Sequence, residues 1–215
     1  MGTTDKVYLY GASGHAKVVM DIARLADLDV PCLIDDNTSV NTLAGFPVVH
    51  SSEGLNPIIV TIGDCHIRRK IVKKLGARDY VTVIHPSVVK SESVEMGCGT
   101  VVMAGAILNP FVRVGNHSII NTGASLDHDV QVGDFVHIAP HCTLCGGVEV
   151  GEGTWIGAGS TVIQGIHIGK NCFIGAGSVV VKDIPDNSLC YGNPSRVIKS
   201  INIGADNQEI NLIGE

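Results

Sequence analysis

Val130-Gln131-Val132-Gly133-Asp134-Phe135-Val136-His137-Ile138-Ala139-Pro140-His141-Cys142-Thr143-Leu144 decides the fold of the second half of this chain. Large aliphatics stand at 132, 138 and 144, six residues apart, and the same step continues in both directions. The column reads Met96, Val102, Leu108, Val114, Ile120, Leu126, Val132, Ile138, Leu144, Val150, Ile156, Val162, Ile168, Ile174 and Val180, without insertion or deletion. Two places before each member lies a small or β-branched residue, from Val94 and Thr100 to Cys172 and Ser178. Gly follows the aliphatic at 97, 115, 133, 151 and 169, so three hexads make one unit of eighteen. Six is not a multiple of 3.6, which excludes an amphipathic helix, and the turns recur too often for strict strand alternation. The pattern predicts a parallel β-helix of triangular section. The aliphatic points inward, the small residue fits the tight wall, and Gly supplies freedom at the corner. Five coils from Val94 to about Lys182 at about 4.8 Å per coil give a prism roughly 24 Å long. Lys90 breaks the column, so residues 85–93 are expected to be an incomplete first coil or cap.

The first half reads differently. A β-rich run at 7–10 precedes Gly11-Ala12-Ser13-Gly14-His15, and apolar positions 18, 19, 22, 25 and 26 then recur at helical spacing. Strands fit 30–34, 58–62 and 80–84, and a helix fits 65–75. The order β-α-β-(α)-β-α-β predicts a Rossmann-like parallel sheet with helices outside. The expected organisation is therefore an α/β domain over 1–84, a β-helix over 85–202 and a tail over 203–215.

Composition narrows the class. The chain has 215 residues, 45% of them apolar and only 4% aromatic, so a core of Val, Ile, Leu and Ala is expected rather than disorder. A net charge of −6 with no Lys/Arg run argues against nucleic acid as the main ligand. No apolar run approaches a membrane span, and the first residues lack a signal region. Seven cysteines, an odd number, are expected to be reduced thiols of a cytoplasmic protein.

Several residues carry possible chemistry. Strand, Gly-x-x-Gly and helix aim backbone N–H groups at an anion. Asp35-Asp36 at the next strand end offers an acceptor for a ribose hydroxyl or base N–H. The incomplete glycine motif speaks for a nucleotide without nicotinamide chemistry, and a plain tight turn stands beside that reading. In Asp127-His128-Asp129, Asp129 is placed to orient the imidazole of a general base; an ordinary polar corner is the alternative. His137 and His141 follow on the next coil, facing the same groove or merely exposed. A zinc site needs stacked ligands eighteen apart, and 117, 128, 137 and 141 contain no such pair. Cys142-x-x-Cys145 is a lone pair, best read as structural.

Val132-Gly133-Asp134-Phe135-Val136-His137 and Ile156-Gly157-Ala158-Gly159-Ser160-Thr161 resemble the repeats of hexapeptide acyltransferases, which implies a left-handed coil. Tyr10-Gly11-Ala12-Ser13-Gly14-His15, Leu33-Ile34-Asp35-Asp36, Ile62-Gly63-Asp64, the 121–129 segment and Tyr191-Gly192-Asn193-Pro194-Ser195-Arg196-Val197 narrow it. Over residues 6–200 they resemble bacterial nucleotide-aminosugar N-acetyltransferases and the related sialic acid O-acetyltransferases. The resemblance implies a homotrimer with sites between neighbouring prisms, acetyl-CoA along the coil, and no metal. It implies acetylation of the amino group of a nucleotide-linked 4-amino-deoxysugar for surface glycans, with sialic acid O-acetylation as the alternative. A zinc enzyme of γ-carbonic-anhydrase type and a non-catalytic sugar-nucleotide sensor are further alternatives. By motif, His128 is the expected base, Asp129 its orienting acid (Glu in many relatives) and Asn121 a neighbour of the reacting centre. Ser13, Gly14, His15, Asp35, Asp36 and Gly63 match sugar-nucleotide positions. His137, Ala158 and Ala176 fall where the thioester co-substrate binds, the last two through backbone.

Overall fold

The computed structural model describes residues 5–201; the expected tail over 203–215 lies outside them. The first half holds β1 (Tyr8–Tyr10), α1 (Gly14–Leu25), β2 (Leu33–Ile34), β3 (Thr42–Leu43), β4 (Phe46–Val49), β5 (Ile58–Val60) and α2 (Cys65–Leu75). Its sheet order is β3-β4-β2-β1-β5, parallel except for the β3–β4 hairpin. The chain leaves β1 toward β2 and returns on the other side as β5. The loops after β1 and β5 therefore open at a topological switch point, where open α/β sheets bind ligands. Gly11 stands at that turn with φ +115°, a backbone conformation that strains any residue with a side chain.

Two expectations for this half are corrected. The element bracketed as a helix between β2 and β5 is the β3–β4 hairpin, turned by Ala44 and Gly45 at φ +49° and +85°. The strand expected over 80–84 does not join the sheet as a unit. Tyr80 bridges Ile58, whereas Val83–Ile84 pairs with Val101–Val102 in the second half.

The second half is a parallel solenoid of the left-handed β-helix type. Two-residue strands pair with their equivalents eighteen residues on, as Ser125↔Thr143 and Leu126↔Leu144. They build three walls. Wall A holds Val83–Ile84, Val101–Val102, Ile119–Ile120, His137–Ile138, Trp155–Ile156 and Phe173–Ile174, and ends in the antiparallel pair Ser188–Gly192 and Ser195–Ser200. Wall B holds Val89–Lys90, Ile107–Leu108, Ser125–Leu126, Thr143–Leu144, Thr161–Val162 and Val179–Val180. Wall C holds Glu95–Met96, Arg113–Val114, Gln131–Val132, Glu149–Val150 and His167–Ile168. Residues 85–93 thus include a paired rung rather than an incomplete one, with Lys90 exposed at the end of the stack.

From Val102 to Val180 every sixth residue is at most 4% exposed and joins one core. Each such aliphatic contributes roughly 1.5–3 kcal/mol of burial. Hydroxyls in the companion column are satisfied inside the wall: Ser118 Oγ donates to Gly133 O at 2.8 Å and Thr154 Oγ1 to Gly169 O at 2.7 Å. The glycines spaced by eighteen do not supply corner freedom, as the pattern had suggested. A Cβ on Gly133 would lie 2.8 Å from the backbone nitrogen of Glu152, so these glycines let one coil approach the next. Positive φ falls two residues later in each hexad, at Gly99, Gly105, Phe111, His117, Gly123, Asp129 and onward.

The outward faces of the walls differ. Wall A carries Val101 and Ile119 into a shared core with α1 and β1, so the first half packs there. Wall C carries Glu95, Arg113, Gln131, Glu149 and His167, with Arg113 3.2 Å from Glu95 and His167 3.3 Å from Glu149. Wall B presents Val89, Ile107, Ser125, Thr143, Thr161 and Val179 outward, with Lys90 at the end of the stack as the one charge in its strands; Val89 is 65% exposed. No helix among the described residues is long and apolar enough to cross a membrane.

Candidate active site

The hexad geometry places His128 at the corner between walls B and C, on residues 127–129. Its Nδ1 lies 2.8 Å from Asp129 Oδ2, and its backbone N–H donates to Asp127 Oδ1 at 2.8 Å. Asn109 holds Asp127 in turn, its Nδ2 donating to Oδ1 at 2.9 Å. Asp129 reaches back to the ring because it stands at φ +61°. Both side chains are more than half exposed. The bond to Asp129, then the charge of Asp127, holds the imidazole pKa above its ordinary value. With Nδ1–H given to the carboxylate, Nε2 keeps a free lone pair. The ring lies over Gly146, where a Cβ would be 2.6 Å from Nε2.

A second group forms where the first half meets wall A. His137 Nδ1 donates to Gly63 O at 3.0 Å, and Asn121 Nδ2 donates to His137 Nε2 at 3.0 Å. Asn121 Oδ1 accepts from Thr122 N at 2.8 Å, which fixes the amide. His15 stands 6.3 Å from His137 between ring centroids, and its Nε2 is buried without a hydrogen-bond partner. Burial and then the nearby Arg68 charge push His137 down to about 3 and His15 down to about 4, so both are neutral.

Arg68 is the residue that the sequence reading missed. It is 1% exposed, and its guanidinium meets backbone carbonyls from three segments. Nε donates to His117 O at 2.7 Å, Nη1 to Ile62 O and Gly63 O at 2.8 Å each, and Nη2 to Phe135 O at 2.8 Å and Val136 O at 3.2 Å. In Cys65-His66-Ile67-Arg68-Arg69-Lys70 it looks like one of several solvated charges. Gly146 was legible, since it stands eighteen residues after His128.

The other expected residues separate. Ser13 and Gly14 are exposed at the start of α1, and Ser13 makes no side-chain cap, leaving the helix N-terminus open to an anion. Asp35 is committed to the loops: Oδ2 accepts from Ala12 N at 2.7 Å and Oδ1 from Asn37 N at 2.9 Å. Asp36 is exposed and holds Tyr10 Oη at 2.7 Å and Lys74 Nζ at 2.8 Å. Ala158 and Ala176 lie exposed at the corner between walls A and B, flanked by Gly157, Gly159, Gly175 and Gly177. His137 is 4% exposed with both ring nitrogens occupied, and its strand pairs with Trp155–Ile156, the rung that leads into Ala158. His128 and Asp129 are at the opposite edge of wall B from Asn121, Ala158 and Ala176. Cys142 is buried, its Sγ 3.1 Å from Gly157 O. Among the described residues no three His, Cys, Asp or Glu side chains are grouped to hold a metal ion. An open groove of about 550 Å³ over wall C contains none of the expected site residues.

Residues 6–75 match the PglD N-terminal domain, and residues 147–182 match the bacterial transferase hexapeptide (six repeats). UDP-N-acetylbacillosamine N-acetyltransferase of Bacillus subtilis (strain 168) is 38% identical over 110 residues, 46% of this chain and 51% of that protein. That match spans about half the length of the curated relative. A longer likeness is to a variant of perosamine N-acetyltransferase from Caulobacter crescentus, solved in complex with CoA and GDP-perosamine. It is 38% identical with a TM-score of 0.87, covering 92% of this chain and 99% of that one. The chain belongs to the nucleotide-aminosugar N-acetyltransferase family. The acetyltransferase domain of PglB from Neisseria gonorrhoeae FA1090, solved with acetyl coenzyme A, is also similar. It is 34% identical with a TM-score of 0.83, over 91% of this chain and 100% of that one. Both halves of this acetyltransferase, in the same order, are thus common to the family.

Proposed function

We propose that this protein transfers the acetyl group of acetyl-CoA to the amino nitrogen of a nucleotide-linked 4-amino-deoxysugar, with His128 as general base. The observation that carries this reading is the 2.8 Å contact of His128 Nδ1 with Asp129 at an exposed edge, with Nε2 left free. Nε2 accepts the proton that the amine loses as it bonds to the thioester carbonyl carbon. The C–S bond breaks, and the proton returns to the departing thiolate. Sulfur is a good leaving group, so no covalent enzyme intermediate is required, and positioning supplies much of the rate.

The edge at Ala158 and Ala176 has side chains no larger than a methyl group over 157–159 and 175–177, which suits an extended pantetheine arm against bare backbone. The start of α1 and the Gly63 loop are the proposed seat of the sugar nucleotide, on the same edge as Asn121. His128 belongs to the other edge of wall B. The two edges meet in a cyclic homotrimer with wall B turned toward the axis. The face of wall B, uncharged beyond Lys90 at the end of the stack and with Val89 and Ile107 exposed, supports that packing. Each site then takes its base from one protomer and its substrate seat from the next. Seven free cysteines fit a reducing, cytoplasmic setting.

The test is a panel of UDP-, dTDP- and GDP-linked 4-amino-deoxysugars with acetyl-CoA, alongside a sialic acid hydroxyl acceptor. The reading expects a mass gain of one acetyl group on an amine. Acetylation of the hydroxyl acceptor alone, or of nothing, contradicts it.

A further inference from the structure

The corner between walls A and B repeats a left-handed backbone position at 105, 123, 141, 159 and 177. Four of the five are glycine, with φ between +65° and +69°; the fifth is His141, at φ +57°. A histidine there is strained where every equivalent coil uses the residue that is not. Most other non-glycine residues at such corners of the prism have a visible task. His117 and Phe135 stack at 5.1 Å in the contact between the two halves. Asp129 holds His128, and Asn171 donates to Asn187 Oδ1 at 3.4 Å. The His141 side chain is exposed and, among the described residues, makes no hydrogen bond, ion pair or ring contact. It lies folded over Gly123, where a Cβ would fall 2.6 Å from its Cε1.

Its height on the prism gives it a target. The His128 ring rises from the coil of 121–129 over Gly146, which belongs to the coil of 139–147. The His141 ring descends from the coil of 139–147 over Gly123, which belongs to the coil of 121–129. Both imidazoles therefore occupy the same gap between the same two coils, on opposite edges of wall B. His141 is also eighteen residues before Gly159, hence one coil below Ala158.

We propose that His141 is a binding residue for the acyl donor. From the edge that carries Ala158 it contacts the pantetheine arm of acetyl-CoA where the arm reaches the level of the neighbouring protomer's base. This rests on the cyclic arrangement and the donor edge proposed above. An exposed imidazole on a left-handed backbone position, with no partner among the described residues, is free to bond a bound acyl donor.

The experiment is calorimetric titration of the intact protein with CoA, on the parent and on His141→Gly, with thermal melting of both. Glycine restores the residue used at 105, 123, 159 and 177, so His141→Gly melts at the parent temperature or above. The expected result is a Kd for CoA raised about tenfold, as for one lost hydrogen bond to a charged or strongly polar group. An unchanged Kd overturns the assignment while leaving the proposed function standing. A weaker Kd together with a lower melting temperature also overturns it, since the role would then be structural. If the parent itself binds no CoA, the proposed function falls, and this assignment with it.

Discussion

His128 Nε2 sits where a Cβ on Gly146 would be 2.6 Å away, so the reach of the imidazole is set by the residue one coil above it. The missing side chain at 146 lets the ring lie flat along the edge while Asp129 holds Nδ1.

Gly146→Ala is accordingly expected to push the ring out of line. A displacement of about 1 Å in a catalytic group costs on the order of 10² in rate. Because Gly146 is not at positive φ, the fold should tolerate the methyl group better than the chemistry does. Steady-state kinetics beside thermal melting checks this. A melting temperature near the parent with kcat down about a hundredfold is the expected pair; an undiminished kcat contradicts it.

The pH profile follows from the same contact. Proton abstraction needs neutral His128, and Asp129 and Asp127 raise its pKa above the ordinary value of 6.5. Below that raised value the base is protonated and kcat/KM falls. Asp129→Asn removes the leading cause, so the acid limb should move to lower pH while the plateau rate drops. A limb that stays in place would mean that another group titrates.

Stability has a separate pH dependence. His137 and His15 are held neutral in the folded protein, with values pushed down to about 3 and about 4. The unfolded chain binds protons at these sites near 6.5, so it binds more protons than the folded state below that pH. Stability is therefore full above about pH 6.5 and is lost as pH falls, by at most about 1.4 kcal/mol per pH unit for each group. Urea unfolding of the parent and of His137→Gln between pH 7 and pH 4 checks the slope, which should be shallower in the variant.

Arg68 joins the two halves through five carbonyls. Lysine offers three donors at a single point and cannot match that spread. Arg68→Lys should cost about 2 kcal/mol or more through orphaned buried acceptors. It should also raise KM for the sugar nucleotide, because Gly63 loses one of the two side-chain contacts that fix its loop. Denaturant unfolding and substrate titration together read both effects.

A shared site also makes a mixing prediction. His128→Ala lacks the base, and Ala158→Trp blocks the donor edge. Each is expected to be nearly inactive alone. Trimers formed by unfolding and refolding the two together should regain activity at roughly a quarter of the sites, from random pairing of intact edges. No recovery would place the whole site within one protomer.

Much of this architecture was legible because it repeats. The aliphatic column is buried from Val102 onward, and α2 runs over Cys65–Leu75 as expected. That helix starts at Asp64, whose side chain accepts from Ile67 N at 2.8 Å, and ends at Gly76 at φ +67°. The β3–β4 hairpin was not legible, because Pro47 interrupts a short run and no periodicity accumulates over two residues. His128 and Asp129 are neighbours in sequence, so their contact could be read directly. The Gly63–His137–Asn121 chain and the Arg68 clamp join residues far apart along the chain, and spacing carries no record of them. The glycines spaced by eighteen stand out in the sequence, but their role does not, because coil-to-coil approach and corner freedom leave the same letter.

Acetyl transfer by His128→Ala, followed by product mass and by thiol release from acetyl-CoA, tests the central claim most directly. With the 4-amino-deoxysugar nucleotide that the parent accepts, kcat should fall by roughly 10²–10⁴, with CoA binding retained. Turnover near the parent rate would contradict the account, because the proton would then leave the amine by another route.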